Sequence, residues 1–118
     1  MAIKLYGIPN CNTVKKARDW LSRHQIDYTF HDFKKQGIDA QQLHAWLAQY
    51  PESKLINRAG LTWRGLDEQT KSSITDALSA VPLMMDKTSV IKRPILEKDS
   101  KIIALGFSES EYQSLFQS

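Results

Sequence analysis

"AIKLYGIPNCNTVKKARDWL", residues 2–21, contains the change of period that decides the fold. Ile3 and Leu5 alternate with Lys4 and Tyr6, the two-residue repeat of a half-buried strand, and Gly7 and Pro9 then break it. Val14, Ala17, Trp20 and Leu21 recur at helical spacing, with Lys15, Lys16, Arg18 and Asp19 between them. This pattern predicts an amphipathic helix over about residues 12–24. Cys11, the only cysteine in 118 residues, therefore caps or opens that helix.

Downstream, "IDYTFHDF" (26–33) sets Ile26, Tyr28 and Phe30 against Asp27, Thr29 and His31, a second strand that completes a βαβ unit with a parallel pair. In "KKQGIDAQQLHAWLAQYP" (34–51), Asp39 and Gln42 form a capping box. The helix they open carries Leu43, Trp46, Leu47 and Tyr50 on one face and stops at Pro51. Another helix is expected from Asp67 to Ala80, striped by Ile74, Ala77, Leu78 and Val81, after which Pro82 either kinks it or opens a short helix through Met85. "VIKRPIL" (90–96) and "KIIALGF" (101–107) read as a hairpin turning at "EKDS" (97–100). Ser108 and Glu111 then cap a terminal helix carrying Tyr112, Leu115 and Phe116. The order βαβ, helical insert, ββα makes this an α/β chain of thioredoxin-like type. It is read as one domain over 1–118, with a helical insertion at about 37–88.

Composition excludes several classes. With 42% hydrophobic and 25% charged residues the chain is globular rather than disordered. A net charge of +3 without a basic face does not point to nucleic acid. No apolar run approaches the roughly 20 residues of a membrane helix, and the N-terminal stretch is too short and polar for a secretory signal. A lone cysteine forms no internal disulfide, so a reduced, cytoplasmic protein is expected. His24, His31 and His44 lack the spacing and cysteine partners of a zinc site, and no metal is expected. Trp20, Trp46, Trp63, Met84 and Met85 are read as packing residues, and His24 and His31 as surface or structural ones.

The chemistry points to Cys11. A helix start offers unpaired N–H groups and about half a positive charge, which favour thiolate over thiol. Asn10, Asn12 and Thr13 flank the sulfur, and Lys15, one turn on, is the nearest charge the sequence names. Arg93, set rigidly by Pro94, and Arg58 in "INRAG" are further candidates, since a guanidinium fork suits an oxyanion.

"YGIPNCNTVKKA", "INRAG", "IKRPIL" and "ALGFSESEY", in that order, resemble the arsenate reductase (ArsC) family, and within it the YffB branch, with Spx-type regulators as relatives. The likeness spans essentially the whole chain. It implies the arsenate-reductase type of thioredoxin-like fold, Cys11 as the active thiol, Arg93 beside it, a cis Arg93–Pro94 peptide and a substrate-binding part for Arg58. Glutaredoxin-linked arsenate reductases carry a histidine where this chain has Gly7 and a third arginine where it has Gly106. Thioredoxins and Spx regulators carry a second cysteine where it has Val14. The resemblance therefore implies a monomeric, glutathione-linked thiol reductase with no tightly bound cofactor. Glutathione or a small thiol or oxyanion would be the substrate, and glutaredoxin a further partner. A non-enzymatic regulator that docks on RNA polymerase and a true arsenate reductase are the alternatives.

Overall fold

The computed structural model describes residues 2–117. Two compact units divide the chain: residues up to Gln36 together with those from Arg93 onward, and Gly37–Lys92.

The first unit is built on a four-stranded sheet. Strand β1 (Ile3–Gly7) leads into α1 (Asn12–Arg23), β2 (Thr29–Asp32) and a single turn of helix, α2 (Phe33–Gln36). After the second unit come β3 (Ile95–Lys98), β4 (Lys101–Leu105) and the terminal helix α8 (Glu109–Phe116). The strand order is β2-β1-β3-β4, with β1 and β2 parallel and the other pairs antiparallel. The parallel pair and the hairpin are those expected from the sequence. β3 begins at Ile95 rather than Val90, after a cis Arg93–Pro94 peptide. Proline carries no N–H for a ladder, which fits a strand starting after it. The hairpin turns through Asp99 and Ser100, both with positive φ (51° and 72°), the twist a tight two-residue turn requires.

Register places Leu5 beside both Phe30 and Leu96, so one sheet face carries Ile3, Leu5, Leu96 and Ala104. Against it pack Ala17, Trp20 and Leu21 of α1 and Tyr112 of α8, all buried. His24, read from the sequence as a surface or structural residue, is exposed at the end of α1 and stacks its ring on Trp20 at 3.8 Å. On the opposite face the Tyr6 hydroxyl donates to buried Glu97 Oε1 at 2.9 Å, which satisfies a carboxylate that burial would otherwise penalise.

Gly37–Lys92 holds α3 (Ala40–Gln49), α4 (Glu52–Leu55), α5 (Leu61–Arg64), α6 (Glu68–Ser73), α7 (Ala77–Asp86) and a 3-10 turn (Thr88–Val90). Asp39 caps α3 by accepting from the Gln42 N–H at 2.8 Å, a contact worth about 1 kcal/mol. The single helix expected over 67–80 is two. Asp76 and Ser79 form a reciprocal capping box that starts α7 afresh, and Pro82 falls inside that helix. The new phase also corrects the stripe. Ala80, Val81, Leu83 and Met84 turn inward, which leaves Leu78 76% and Met85 43% exposed on the other side. Ile56 and Ile91 make an isolated antiparallel bridge within this unit. Among the described residues no helix is long and apolar enough to cross a membrane.

Tyr112 completes the first unit's core, edge-on to Trp20 and to Phe107. Its hydroxyl is buried without a hydrogen-bond partner among the described residues, and burial followed by the Glu111 charge drives its pKa strongly upward. An unsatisfied buried hydroxyl costs about 1–3 kcal/mol. Tyr112→Phe should therefore hold or raise the thermal midpoint in calorimetry, whereas a clear loss of stability would show that the hydroxyl is bonded.

Candidate active site

Gly7 ends β1 and Cys11 takes the N-cap of α1, with extended backbone (φ −116°, ψ 124°). Its carbonyl accepts the first helical bond, from the Lys15 N–H at 2.9 Å. Of the two roles open to Cys11 in the sequence, capping is the one observed. Val14, Ala17, Trp20 and Leu21 turn the helix onto the core, so its first turn is anchored while the thiol stays half-buried.

Two effects compete at the sulfur. Burial is the largest single influence and pushes the thiol's pKa up. The Val14 N–H, the Arg93 side chain as hydrogen-bond donor, the Thr13 N–H and the Arg93 positive charge all act the other way, and together they prevail. Cys11 therefore ionises below its ordinary value. The thiol makes no full side-chain capping bond to α1, so its anion is stabilised by several facing dipoles and one guanidinium rather than by one strong bond.

Arg93 reaches the site through strand pairing. Tyr6 on β1 faces Ile95 on β3, so the residues just beyond them, Gly7 and the Arg93–Pro94 pair, lie at the same end of adjacent strands. Pro94 is buried, and its carbonyl accepts the Gly106 N–H at 2.8 Å.

The predicted site residues thus separate. Cys11, Arg93 and the Thr13 backbone converge on the sulfur. Asn10, Asn12 and Lys15 are exposed at the helix start. The cation acting on the thiol is Arg93 rather than Lys15. Arg58 belongs to the helical unit, where its guanidinium lies 4.9 Å from the Trp63 ring centroid. Val14 was read from sequence only as a packing residue, yet its N–H faces the sulfur. The third position after an N-cap is where such a donor is expected, and that spacing could have revealed it.

Both glycines that distinguish this site have local causes. A Cβ at Gly7 would stand 2.7 Å from Val14 Cγ2, and Gly106 has φ +79°, a conformation that disfavours side chains. An open groove of about 1170 Å³ runs from Thr13 along Lys16, Asp19 and Arg23 to Ser108 and Ser110 at the start of α8; it shares the first turn of α1 with the site, but neither Cys11 nor Arg93 lines it.

The ArsC family model matches residues 6–115. A protein of Haemophilus influenzae is 42% identical over 114 residues, 97% of this chain and 98% of that one. The global transcriptional regulator Spx of Streptococcus pyogenes is 26% identical over 115 residues, 95% of this chain and 83% of its own. Among solved structures, a YFFB protein superposes with a TM-score of 0.89 at 42% identity, covering 96% of this chain and 97% of its own. An arsenate reductase (ArsC) related protein from Brucella melitensis has a TM-score of 0.77 at 48% identity, covering all of this chain and 97% of its own. The α/β architecture is thus the ArsC type of thioredoxin-like fold.

Because Arg93 and the helix start favour the thiolate, the rate of iodoacetamide alkylation should rise with pH to a midpoint below the roughly 8.5 of free cysteine. Arg93→Gln should move that midpoint up by about one pH unit, the scale of one close opposite charge. An unchanged midpoint would mean that Arg93 does not act on the sulfur.

Proposed function

The chain belongs to the ArsC family, and from that premise we propose that it is a single-cysteine thiol reductase of the cytoplasm that works with glutathione as a monomer. The observation that carries this reading is the convergence of Arg93 and the Val14 and Thr13 N–H groups on the Cys11 sulfur. A thiolate is the nucleophile in thiol–disulfide exchange, and this arrangement favours it over the thiol.

The Cys11 thiolate attacks the glutathione sulfur of a mixed disulfide R–S–S–G. The Cys11–glutathione disulfide forms as the S–S bond of R–S–S–G breaks, and RS⁻ leaves as a thiolate that takes a proton from water. A second glutathione thiolate then attacks the Cys11 adduct, releasing oxidised glutathione and restoring the Cys11 thiolate. The two steps sum to R–S–S–G + GSH giving R–SH + GSSG: the R sulfur gains one electron and the incoming glutathione sulfur loses one, so the cycle balances without a bound cofactor. Position 14, three residues after Cys11, is valine, so an outside thiol performs the second step. Glutaredoxin could take that step in place of glutathione.

Glutathione is anionic overall but carries both charge signs, and the groove from Thr13 to Ser110 offers both. Lys16 suits a carboxylate and Asp19 an ammonium, while Arg93 is kept for the sulfur. Arsenate fits less well, because Gly7 and Gly106 give it no side-chain donor. The identity with Spx favours a second reading, a protein-docking regulator with no turnover. On that reading wild type and Cys11→Ser would retrieve RNA polymerase equally.

Turnover of a glutathione mixed disulfide separates the two. Cys11→Ser should abolish it, and Lys16→Glu should raise the KM for glutathione several-fold with the alkylation midpoint unmoved. Activity retained in Cys11→Ser would sink the proposal.

A further inference from the structure

Gly7 and Val14 come from two elements that meet next to the thiol. Val14 is fully buried in the first turn of α1, and its methyls occupy the space where a side chain at position 7 would begin. An added Cβ would lie 2.7 Å from Val14 Cγ2, nearer than real Cβ contacts, and 3.1 Å from Cγ1, a tight one. A β-branched side chain on a helix has essentially one χ1 setting, so Val14 cannot swing aside. The helix turn would have to move instead.

That movement has a chemical consequence. Gly7 and Arg93 both belong to the end of the strand frame where β1 and β3 pair, whereas Cys11, Thr13 and Val14 move together as one helix turn. A shift of the turn leaves the local N–H groups with the sulfur but alters the gap between sulfur and guanidinium. We propose that Gly7 and Val14 are positioning residues: their contact sets the separation of the first turn of α1 from the strand frame, and so seats the Cys11 sulfur at Arg93. The proposal rests on the thiolate reading above and adds what keeps the pair together. It also identifies the use of a glycine at position 7: it allows the helix turn to approach the strand end closely.

The test is the pH dependence of Cys11 alkylation, with thermal unfolding alongside, in wild type, Gly7→Ala, Gly7→Ala/Val14→Ala, Arg93→Gln and Gly7→Ala/Arg93→Gln. Gly7→Ala should slow alkylation at about pH 6 at least threefold or so, the effect of a midpoint raised by roughly half a pH unit. In the Val14→Ala double variant the two Cγ atoms are gone and the remaining Cβ would be 3.5 Å from the new one, an ordinary contact. Its midpoint should return towards wild type. In the Arg93→Gln background Gly7→Ala should change the rate less than twofold or so, since the group it displaces is absent. A role in stability alone would shift unfolding in every background and leave the midpoints in place.

Each result is decisive. A folded Gly7→Ala protein with the wild-type midpoint overturns the inference while leaving the thiolate reading intact. Should Gly7→Ala fail to fold, the Val14→Ala double variant must fold with a lowered midpoint, and failure there equally overturns it. A wild-type midpoint at the free-cysteine value would instead sink the thiolate reading, and the inference with it.

Discussion

A half-buried sulfur resists carrying charge, and here that resistance is overcome from two directions. Burial penalises the Cys11 thiolate more than any single group favours it, and only the joint action of the Val14 and Thr13 N–H groups with Arg93 reverses the balance. The two sources differ in origin. The N–H groups come with the helix and follow the sulfur wherever it goes. Arg93 is separated from Cys11 by most of the chain and must be delivered by the sheet. The site therefore depends on how closely one helix turn is held to the end of two strands.

The rest of the first unit meets that demand. Antiparallel pairing of β1 with β3 brings Gly7 and the Arg93–Pro94 pair to one end of the sheet. The face made by Leu5, Leu96, Ala17, Trp20 and Tyr112 buries the helix against those strands by ordinary apolar packing. Specificity of position comes from smaller features. Gly7 lets the Val14 methyls come close, and the Gly106 N–H bonds the carbonyl of Pro94. In this chain the two glycines therefore have packing and turn roles of their own.

Much of this was legible in the sequence because it depends on local periodicity. The change from a two-residue to a helical repeat at Gly7–Pro9 located the start of α1, and apolar alternation around Asp99 located the hairpin. What escaped was either too short or too distant. Helices of four residues, such as Glu52–Leu55 and Leu61–Arg64, carry no full period to detect. Asp76 followed three residues later by Ser79 marks the break between α6 and α7, but the apolar stripe runs on across it in the sequence and so puts Leu78 on the wrong face. Lys15 was the nearest charge along the chain, whereas proximity to the sulfur was decided by strand pairing, which placed Arg93 there instead.

With one cysteine, any catalytic cycle at this site must pass through an adduct that another molecule resolves. Intact-mass analysis of the protein, mixed with a glutathione mixed disulfide and quenched in acid over time, tests this most directly. The account predicts a glutathione adduct confined to Cys11 that builds up before product and disappears when reduced glutathione is added. Substrate turnover with no adduct at Cys11, or an adduct that added glutathione leaves in place, would contradict it.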